Sequence, residues 1–377
     1  MVFTRTMIMK SNVIQGNNID ILKTYPDNHF DAVVTDPPYG IEFLAKEWDN
    51  NTGAVESWAE CFRVLKPGGY LLAFSAARTY HNLATNIEGV GFEIRDQLMW
   101  LYASGFPKAQ DIGKAIDKRG VDNDHHGWKT ALKPAHEPIV MARKPFKGSC
   151  IDNVLTHGVG ALNIDATRVD NLTDVEKNWT PQRQNVKSTI DLGGAKPGDT
   201  QSMYNEAGRY PSNVLGEVTD YQQFFYCPKV NRAERHMGFE SPPDPLANYS
   251  TGNVKDHPLW DPSIGTNLQR LKHKILEHTK TLGQEHQVTG PVGNNHPTVK
   301  PVALMKYLVK LVTPVGGKVL DPFTGSGSTG MAAVELGYDF TGCELDPDYV
   351  DIANKRITAW KNKTDLNNNP LPKEWFQ

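Results

Sequence analysis

An acid, two prolines and an aromatic ring in succession, Asp36-Pro37-Pro38-Tyr39, are the residues of this chain best suited to chemistry on a planar amine. They follow a strand-like run, Phe30-Asp31-Ala32-Val33-Val34-Thr35, and so stand where a parallel sheet delivers residues to a ligand crevice. The exocyclic amine of a nucleobase is a poor nucleophile because its lone pair is delocalised into the ring. Asp36 can accept one of its hydrogens or finally take the proton. Proline has no N–H and a fixed φ, so Pro37 and Pro38 leave backbone carbonyls as acceptors with little freedom to turn away, the Pro37 carbonyl first among them. Tyr39 offers a face on which a flipped base can stack, worth roughly 1–3 kcal/mol per base. The plain alternative is a strand ending in a proline turn.

A second pattern lies near the other end. Val319-Leu320 runs into Asp321-Pro322-Phe323-Thr324-Gly325-Ser326-Gly327-Ser328-Thr329-Gly330 and then into the helix-like stretch 331–336. Glycines there let backbone N–H groups approach a ligand. A further strand, 338–343, ends at Glu344, a carboxylate placed to accept hydrogen bonds from ribose hydroxyls. Gly325, Gly327 and Gly330 also match the dinucleotide fingerprint, with Glu344 near the expected spacing, so the loop by itself fits NAD as well as S-adenosylmethionine. Two features favour the methyl donor: Asp321 is placed to meet a cationic amino group, and an amine clamp has no role in hydride transfer. No Gly-Lys-Ser/Thr follows the loop, which argues against a P-loop.

Together with Leu65-Lys66-Pro67-Gly68-Gly69 and His296-Pro297-Thr298-Val299-Lys300-Pro301, these motifs resemble those of the β-class DNA amino-methyltransferases, where the Asp-Pro-Pro-Tyr precedes the target-recognition region and the cofactor motif follows it. The resemblance covers roughly the first 147 and last 85 residues. It implies that Asp36, Pro37, Pro38 and Tyr39 are catalytic. It implies an S-adenosylmethionine site lined by Asn17, Asp36, His296, Thr298, Lys300, Asp321, Pro322, Phe323, Thr324, Gly325, Ser326, Gly327, Glu344 and Leu345, and no metal. Gly16-Asn17 stands where relatives often have Gly-Asp beside the cofactor adenine. An initial Asp in the clamp leans, in such enzymes, toward adenine N6, whereas Ser is common for cytosine N4. Adenine N6 in DNA is therefore the expected target, with cytosine N4 the alternative. An NAD-dependent oxidoreductase and a non-catalytic nucleic-acid-binding module are the rivals of other classes. Double-stranded DNA is the expected partner, with a homodimer and a cognate restriction endonuclease as further candidates.

The elements that must position these residues alternate. Apart from the runs already named, 11–15, 70–75, 94–101 and 137–142 read as strands, the second as a buried parallel one. Pro301–Val312 puts Leu304, Leu308 and Leu311 on one face behind a first-turn proline, predicting a helix, and 348–357 has helical spacing. The expected fold is α/β and Rossmann-like. Because the cofactor strands lie late in the sequence and 11–15 must be their neighbour, a circular permutation is expected, with the C-terminal helix crossing toward that strand. The expected layout is a catalytic part over 1–148, an inserted target-recognition region over 149–293 and a cofactor-binding part over 294–377.

In 377 residues, 39% hydrophobic and 22% charged, there is material for one large core and a smaller lobe. No apolar run reaches the roughly 20 residues of a membrane span, and 1–10 has no signal-peptide core, so a cytoplasmic location is expected. Cys61, Cys150, Cys227 and Cys343 lack a paired metal spacing and read as reduced thiols. A formal charge of −3 is not that of a uniformly basic DNA binder. Phosphate attraction must come from local clusters, of which 108–147 and 269–274 are the richest, although such runs are also ordinary solvated faces. Between 149 and 293 long polar, glycine- and proline-containing stretches replace periodicity, which points to target recognition, or otherwise to a linker. Arg168, Arg183, Arg209, Arg232 and Arg235 are candidate readers there, none preferred. His125, His126, His136 and Glu137 have no metal-binding spacing and read as loop or surface residues.

Overall fold

Strand β2 (Phe30–Thr35) is buried along its whole length, which a strand tolerates only when both faces of its sheet are covered. Val33 and Leu71 point into one apolar layer, and Ala32, Val34 and Leu72 into the other, the period-two alternation of a pleated strand. The structure is a computed structural model and describes residues 10–41, 49, 51–102, 109–169, 208, 210–216, 230, 232–239, 294, 296 and 298–366.

In chain order the elements are β1 (Ser11–Gln15), α1 (Asn18–Lys23), β2, α2 (Val55–Val64), β3 (Leu65–Phe74), α3 (Tyr80–Gly89), β4 (Glu93–Leu101), α4 (Ile112–Asp117), β5 (His136–Arg143) and α5 (Cys150–His157). After these come β6 (Val214–Gly216), α6 (Arg232–Arg235), α7 (Val302–Val312), β7 (Lys318–Asp321), α8 (Ser328–Leu336), β8 (Asp339–Glu344) and α9 (Pro347–Leu366). The strands form one eight-stranded sheet in the order β1-β8-β7-β2-β3-β5-β4-β6. Pairing is parallel from β1 through β3 and between β4 and β6, and antiparallel where β5 meets β3 and β4. Late strands β7 and β8 thus sit between the early strands β1 and β2. That order puts the C-terminal ends of β2 and β7 side by side, and with them Asp36 and the glycine loop.

Several elements differ from the sequence expectation. Strand β3 starts at Leu65, taking in Pro67-Gly68-Gly69, and its register against β2 shifts between Phe30 and Ala32, so the glycines form an irregular entry to the strand. Although β3 is parallel to β2, its other neighbour is antiparallel. Pro301 is the N-cap of α7, one residue before the first turn. Helix α8 begins at Ser328, before the expected 331, and α9 runs to Leu366 and packs beside β1.

The described parts of 149–293 are woven into this framework. Strand β6 extends the sheet beyond β4, and Asn163 donates its N–H to the Leu311 carbonyl of α7. Asn153 in α5 is buried and spans to β3, donating to Pro67 O at 3.0 Å and to Val159 O at 2.7 Å. The stretches 191–199, 222–227 and 269–274, together with Arg183, Arg209 and Trp260, lie outside the described residues. Among those described, no helix is long and apolar enough to cross a membrane.

Removing the Asn153 amide strands the buried Val159 carbonyl, at a cost of about 1–3 kcal/mol, and the part-buried Pro67 carbonyl, at a lower cost. Asn153→Ala is expected to lower the urea midpoint of unfolding accordingly while leaving the slope unchanged, which equilibrium denaturation followed by circular dichroism will read.

Candidate active site

Asp36 follows β2 directly, and its carboxylate is held from two sides. Lys300 Nζ donates to Oδ2 at 2.6 Å, and the Tyr39 hydroxyl donates to Oδ1 at 2.8 Å. A third group joins them: Glu137 of β5 lies with Oε2 2.9 Å from the Tyr39 hydroxyl and 3.3 Å from Lys300 Nζ. The Lys300 ammonium also donates to the Tyr39 oxygen at 3.0 Å and lies 4.9 Å from the centre of the Phe74 ring. Each Asp36 oxygen keeps a second lone pair, so the carboxylate can still accept an N–H from a ligand.

Burial dominates the electrostatics. It pushes the Asp36 carboxyl up from its ordinary value; Lys300 opposes this and Glu137 adds to it. Burial, with Asp36 and Glu137 beside it, holds the Tyr39 hydroxyl well above its usual range, so it remains a hydrogen-bond donor at neutral pH. Lys300 loses solvation as well, yet the two carboxylates leave its ammonium above the ordinary lysine value.

The turn after Asp36 is fixed from below by Asp49, which is buried. Its Oδ1 accepts the N–H of Tyr39 at 2.6 Å and of Gly40 at 3.0 Å, and its Oδ2 accepts that of Ile41 at 3.3 Å. The sequence carries no spacing rule that reveals Asp49 or Glu137. By sequence Glu137 reads as the start of a strand and the neighbour of surface histidines. His125 instead contacts the Trp128 ring, and His126 faces Asp117 at 3.9 Å.

The glycine loop is built for close contact. Gly325 has φ 51°, and a Cβ there would come within 2.8 Å of His296 Nε2. Gly327, at φ 83°, caps α8 and packs against Ala353 and Ile357 of α9, so its lack of a side chain serves helix packing and not ligand approach. Glu344 Oε2 accepts the Gly325 N–H at 2.8 Å, linking the end of β8 to the loop. Asp321 is held by three donors of its own chain. Its Oδ1 accepts from Thr35 at 2.6 Å and from Phe323 N at 3.1 Å, its Oδ2 from Thr329 at 2.6 Å, and it is 2% exposed. Those three donors tie β7 to β2 and to α8.

Asn17 lines the cavity and caps α1, its side-chain oxygen accepting from Ile19 N at 2.9 Å. His296 is the ring against which Gly325 rests, and its Nδ1 accepts the Thr298 N–H. Burial first, then Lys300, Arg356 and Arg235, lower its pKa to about 3, so the ring is neutral. Behind the loop, Arg356 of α9 donates to Ser326 O at 2.5 Å and Ser326 Oγ at 2.9 Å.

One cavity of about 1270 Å³ contains both ends of this arrangement. All the residues expected at the site line it except Gly327: Asp36 to Tyr39, Asp321 to Ser326, Glu344 and Leu345, and Asn17, His296, Thr298 and Lys300. Residues 131–137 line it as well. A carboxylate, fixed proline carbonyls and an aromatic ring thus face a glycine loop across a single space.

A family model described as DNA methylase, of the N6/N4 methyltransferase type, matches residues 30–355. The Type II methyltransferase M.HindIII of Haemophilus influenzae is 25% identical, over 93% of this chain and 96% of that protein. The DNA adenine methyltransferase YhdJ of Escherichia coli is 23% identical, over 92% of this chain and 82% of its own length. Among solved structures, PvuII DNA methyltransferase (cytosine-N4-specific) shares 16% identity with a TM-score of 0.45, over 96% of this chain and 94% of that one.

Asp321 gives the site a pH signature. Burial raises its carboxyl from 3.8 to about 6 in the folded chain, despite the three donors. Because the folded state binds that proton more tightly than the unfolded chain does, stability is highest at low pH on this account and falls as pH rises from 3.8 through 6. Asp321→Asn keeps the size but removes the charge, so the variant is expected to exceed the wild type in urea midpoint at pH 8, with the gain shrinking toward pH 4. A midpoint difference independent of pH would contradict the assignment.

Proposed function

The chain belongs to the N6/N4 DNA methylase family, and on that footing we propose that it transfers a methyl group from S-adenosylmethionine to the N6 amino group of adenine in double-stranded DNA. The observation that carries this reading is the shared cavity, in which Asp36 and the Gly325 loop face the same space although they lie far apart in sequence. Family membership leaves the oxidoreductase and the silent binding module without support.

The residues present fit S-adenosylmethionine. Glu344 ends β8 beside the loop, where a ribose would meet its carboxylate; Phe323, Leu345 and Tyr349 supply apolar walls for an adenine, and His296, Thr298 and Lys300 border the far end. When bound, the cofactor supplies a methyl group on a sulfonium that leaves as a neutral thioether. The protein's part is to present the amine. Tyr39 takes a base turned out of the duplex against its ring, Asp36 and the Pro37 carbonyl accept the two amino hydrogens, and the Asp49 cradle keeps that turn from moving. Alignment of this kind can save roughly 7–11 kcal/mol of barrier. Adenine is favoured over cytosine by the acidic first residue of the clamp. Since M.HindIII is a Type II methyltransferase, a protective role beside a cognate endonuclease is part of the proposal, as is a homodimer. The position of β7 and β8 between β1 and β2 supports a circularly permuted fold.

Incubating unmethylated DNA with labelled donor, then digesting to nucleosides, tests the whole reading: label in N6-methyladenosine is expected, label in N4-methylcytosine overturns the choice of base, and no label overturns the activity. Asp36→Ala should retain cofactor binding by calorimetry and lose methylation by roughly a hundredfold or more. Gly325→Ala should instead weaken cofactor binding by roughly tenfold, about 1.4 kcal/mol, because the new Cβ displaces His296.

A further inference from the structure

Glu137 is a carboxylate that no motif singles out, yet it is built into the same cluster as Asp36. Its Oε2 lies 2.9 Å from the Tyr39 hydroxyl, which is itself 2.8 Å from Asp36 Oδ1. The Tyr102 hydroxyl also hydrogen-bonds Glu137. Lys300 spends its three ammonium hydrogens on Asp36 Oδ2, the Tyr39 oxygen and Glu137 Oε2, at 2.6, 3.0 and 3.3 Å. Asp36, Tyr39 and Glu137 therefore form one hydrogen-bonded line, with Lys300 beside every member of it.

Two constraints follow. First, a tyrosine hydroxyl has one hydrogen, so Tyr39 can serve Asp36 or Glu137 fully but not both. That two-way position is the geometry of a proton relay. Second, two carboxylates against one ammonium leave the cluster with a net charge of one negative unit when both are ionised. In a desolvated site such an excess is unfavourable, and uptake of one proton removes it. Asp321, whose carboxylate also repels that of Asp36, adds to the same tendency. Methylating an amine releases one proton, and the cluster is short of one.

We propose that Glu137 is the receiving end of a relay, Asp36 to Tyr39 to Glu137, that carries away the proton released when the target amine is methylated. The inference rests on the methyltransferase reading above. In the step, the amine nitrogen uses its lone pair to bond the methyl carbon while the carbon–sulfur pair leaves with sulfur. One N–H bond then breaks, its electron pair returning to nitrogen and its proton passing to Asp36. Asp36 passes a proton to the Tyr39 oxygen as the hydrogen of Tyr39 moves to Glu137. The result is a neutral methylated amine and a protonated Glu137, with no change of oxidation state in the protein. Glu137 touches no substrate and is a positioning residue that acts through Tyr39. Since it also lines the cavity, the proton can leave to solvent once product departs.

The test is single-turnover methylation of DNA by the full chain and two variants, with cofactor affinity measured by calorimetry in parallel. Glu137→Gln keeps length and hydrogen bonding but cannot take the proton, and its methyl-transfer rate is expected to fall by roughly a hundredfold with unchanged cofactor affinity. Glu137→Ala is expected to be equally slow and to recover when formate is added, since a free carboxylate can occupy the vacated space and accept the proton. A Glu137→Gln protein at wild-type rate, or a Glu137→Ala protein that formate leaves unchanged, overturns the relay while the wild-type activity still stands. Loss of cofactor binding in both variants assigns Glu137 a structural role and also overturns it. Absence of any methyl transfer by the wild-type chain overturns the functional reading and the relay with it.

Discussion

Lys300 is 5% exposed, and an ammonium buried so deeply persists only where fixed negative groups replace its water. Asp36 and Glu137 are those groups, and they come from the ends of two different strands, β2 and β5. The need to satisfy one cation therefore draws the segment before α7 against the Asp36–Tyr39 turn. Val302, just after it, donates its N–H to Glu234 Oε1 at 2.7 Å, and Arg235 donates to the His296 carbonyl at 2.8 Å, so α6 clasps the same segment from behind. The approach to α7 is thereby held on both sides, and Lys300 has little freedom to choose another partner.

The glycine loop that lines the cavity depends on another buried cation. Burial lowers the Arg356 guanidinium to about 10, with the Glu234 carboxylate opposing, so it stays charged at neutral pH; its terminal nitrogens donate to the oxygens of Ser326 and, at 3.2 Å, to the Glu234 carbonyl. Arg356 lies on α9 and Glu234 on α6, so one side chain connects the glycine loop, the last helix and a described fragment of the long polar region. Loop geometry in this site is maintained by helix packing and by a cation beneath the loop, more than by the freedom of the glycines.

Local charge is less available to a nucleic acid than the sequence suggests. Of the positives in the basic stretch before residue 148, Arg143 pairs with Glu93 at 2.8 Å, and Lys144 donates to the Leu65 carbonyl at 2.7 Å. Lys114 and Lys129 both approach Asp111 at 3.9 and 3.8 Å but remain largely exposed. Such exposed pairs contribute little to stability and exchange partners readily, so these lysines remain free to meet phosphate. Arg168, considered as a reader, ties Asp165 and the Gly208 carbonyl.

Much of the site was legible in the sequence because its chemistry is carried by contiguous residues. Asp36 to Tyr39 follow an apolar strand, and Asp321 to Gly327 follow another; a strand that ends at a sheet edge presents what comes next, whatever the rest of the fold does. The strand and helix pattern was legible for the same reason, since periodicity is a local property. What the sequence alone determined is thus which segments carry reactive groups and which elements precede them. Only the tertiary structure decided that Lys300 serves Asp36, that Asp321 accepts from Thr35 and Thr329, and that Asp49 and Glu137 belong to the site at all. Those are pairings between side chains brought together by the order of strands in a sheet, and partner choice across a sheet is set by packing and burial, which leave no spacing to read.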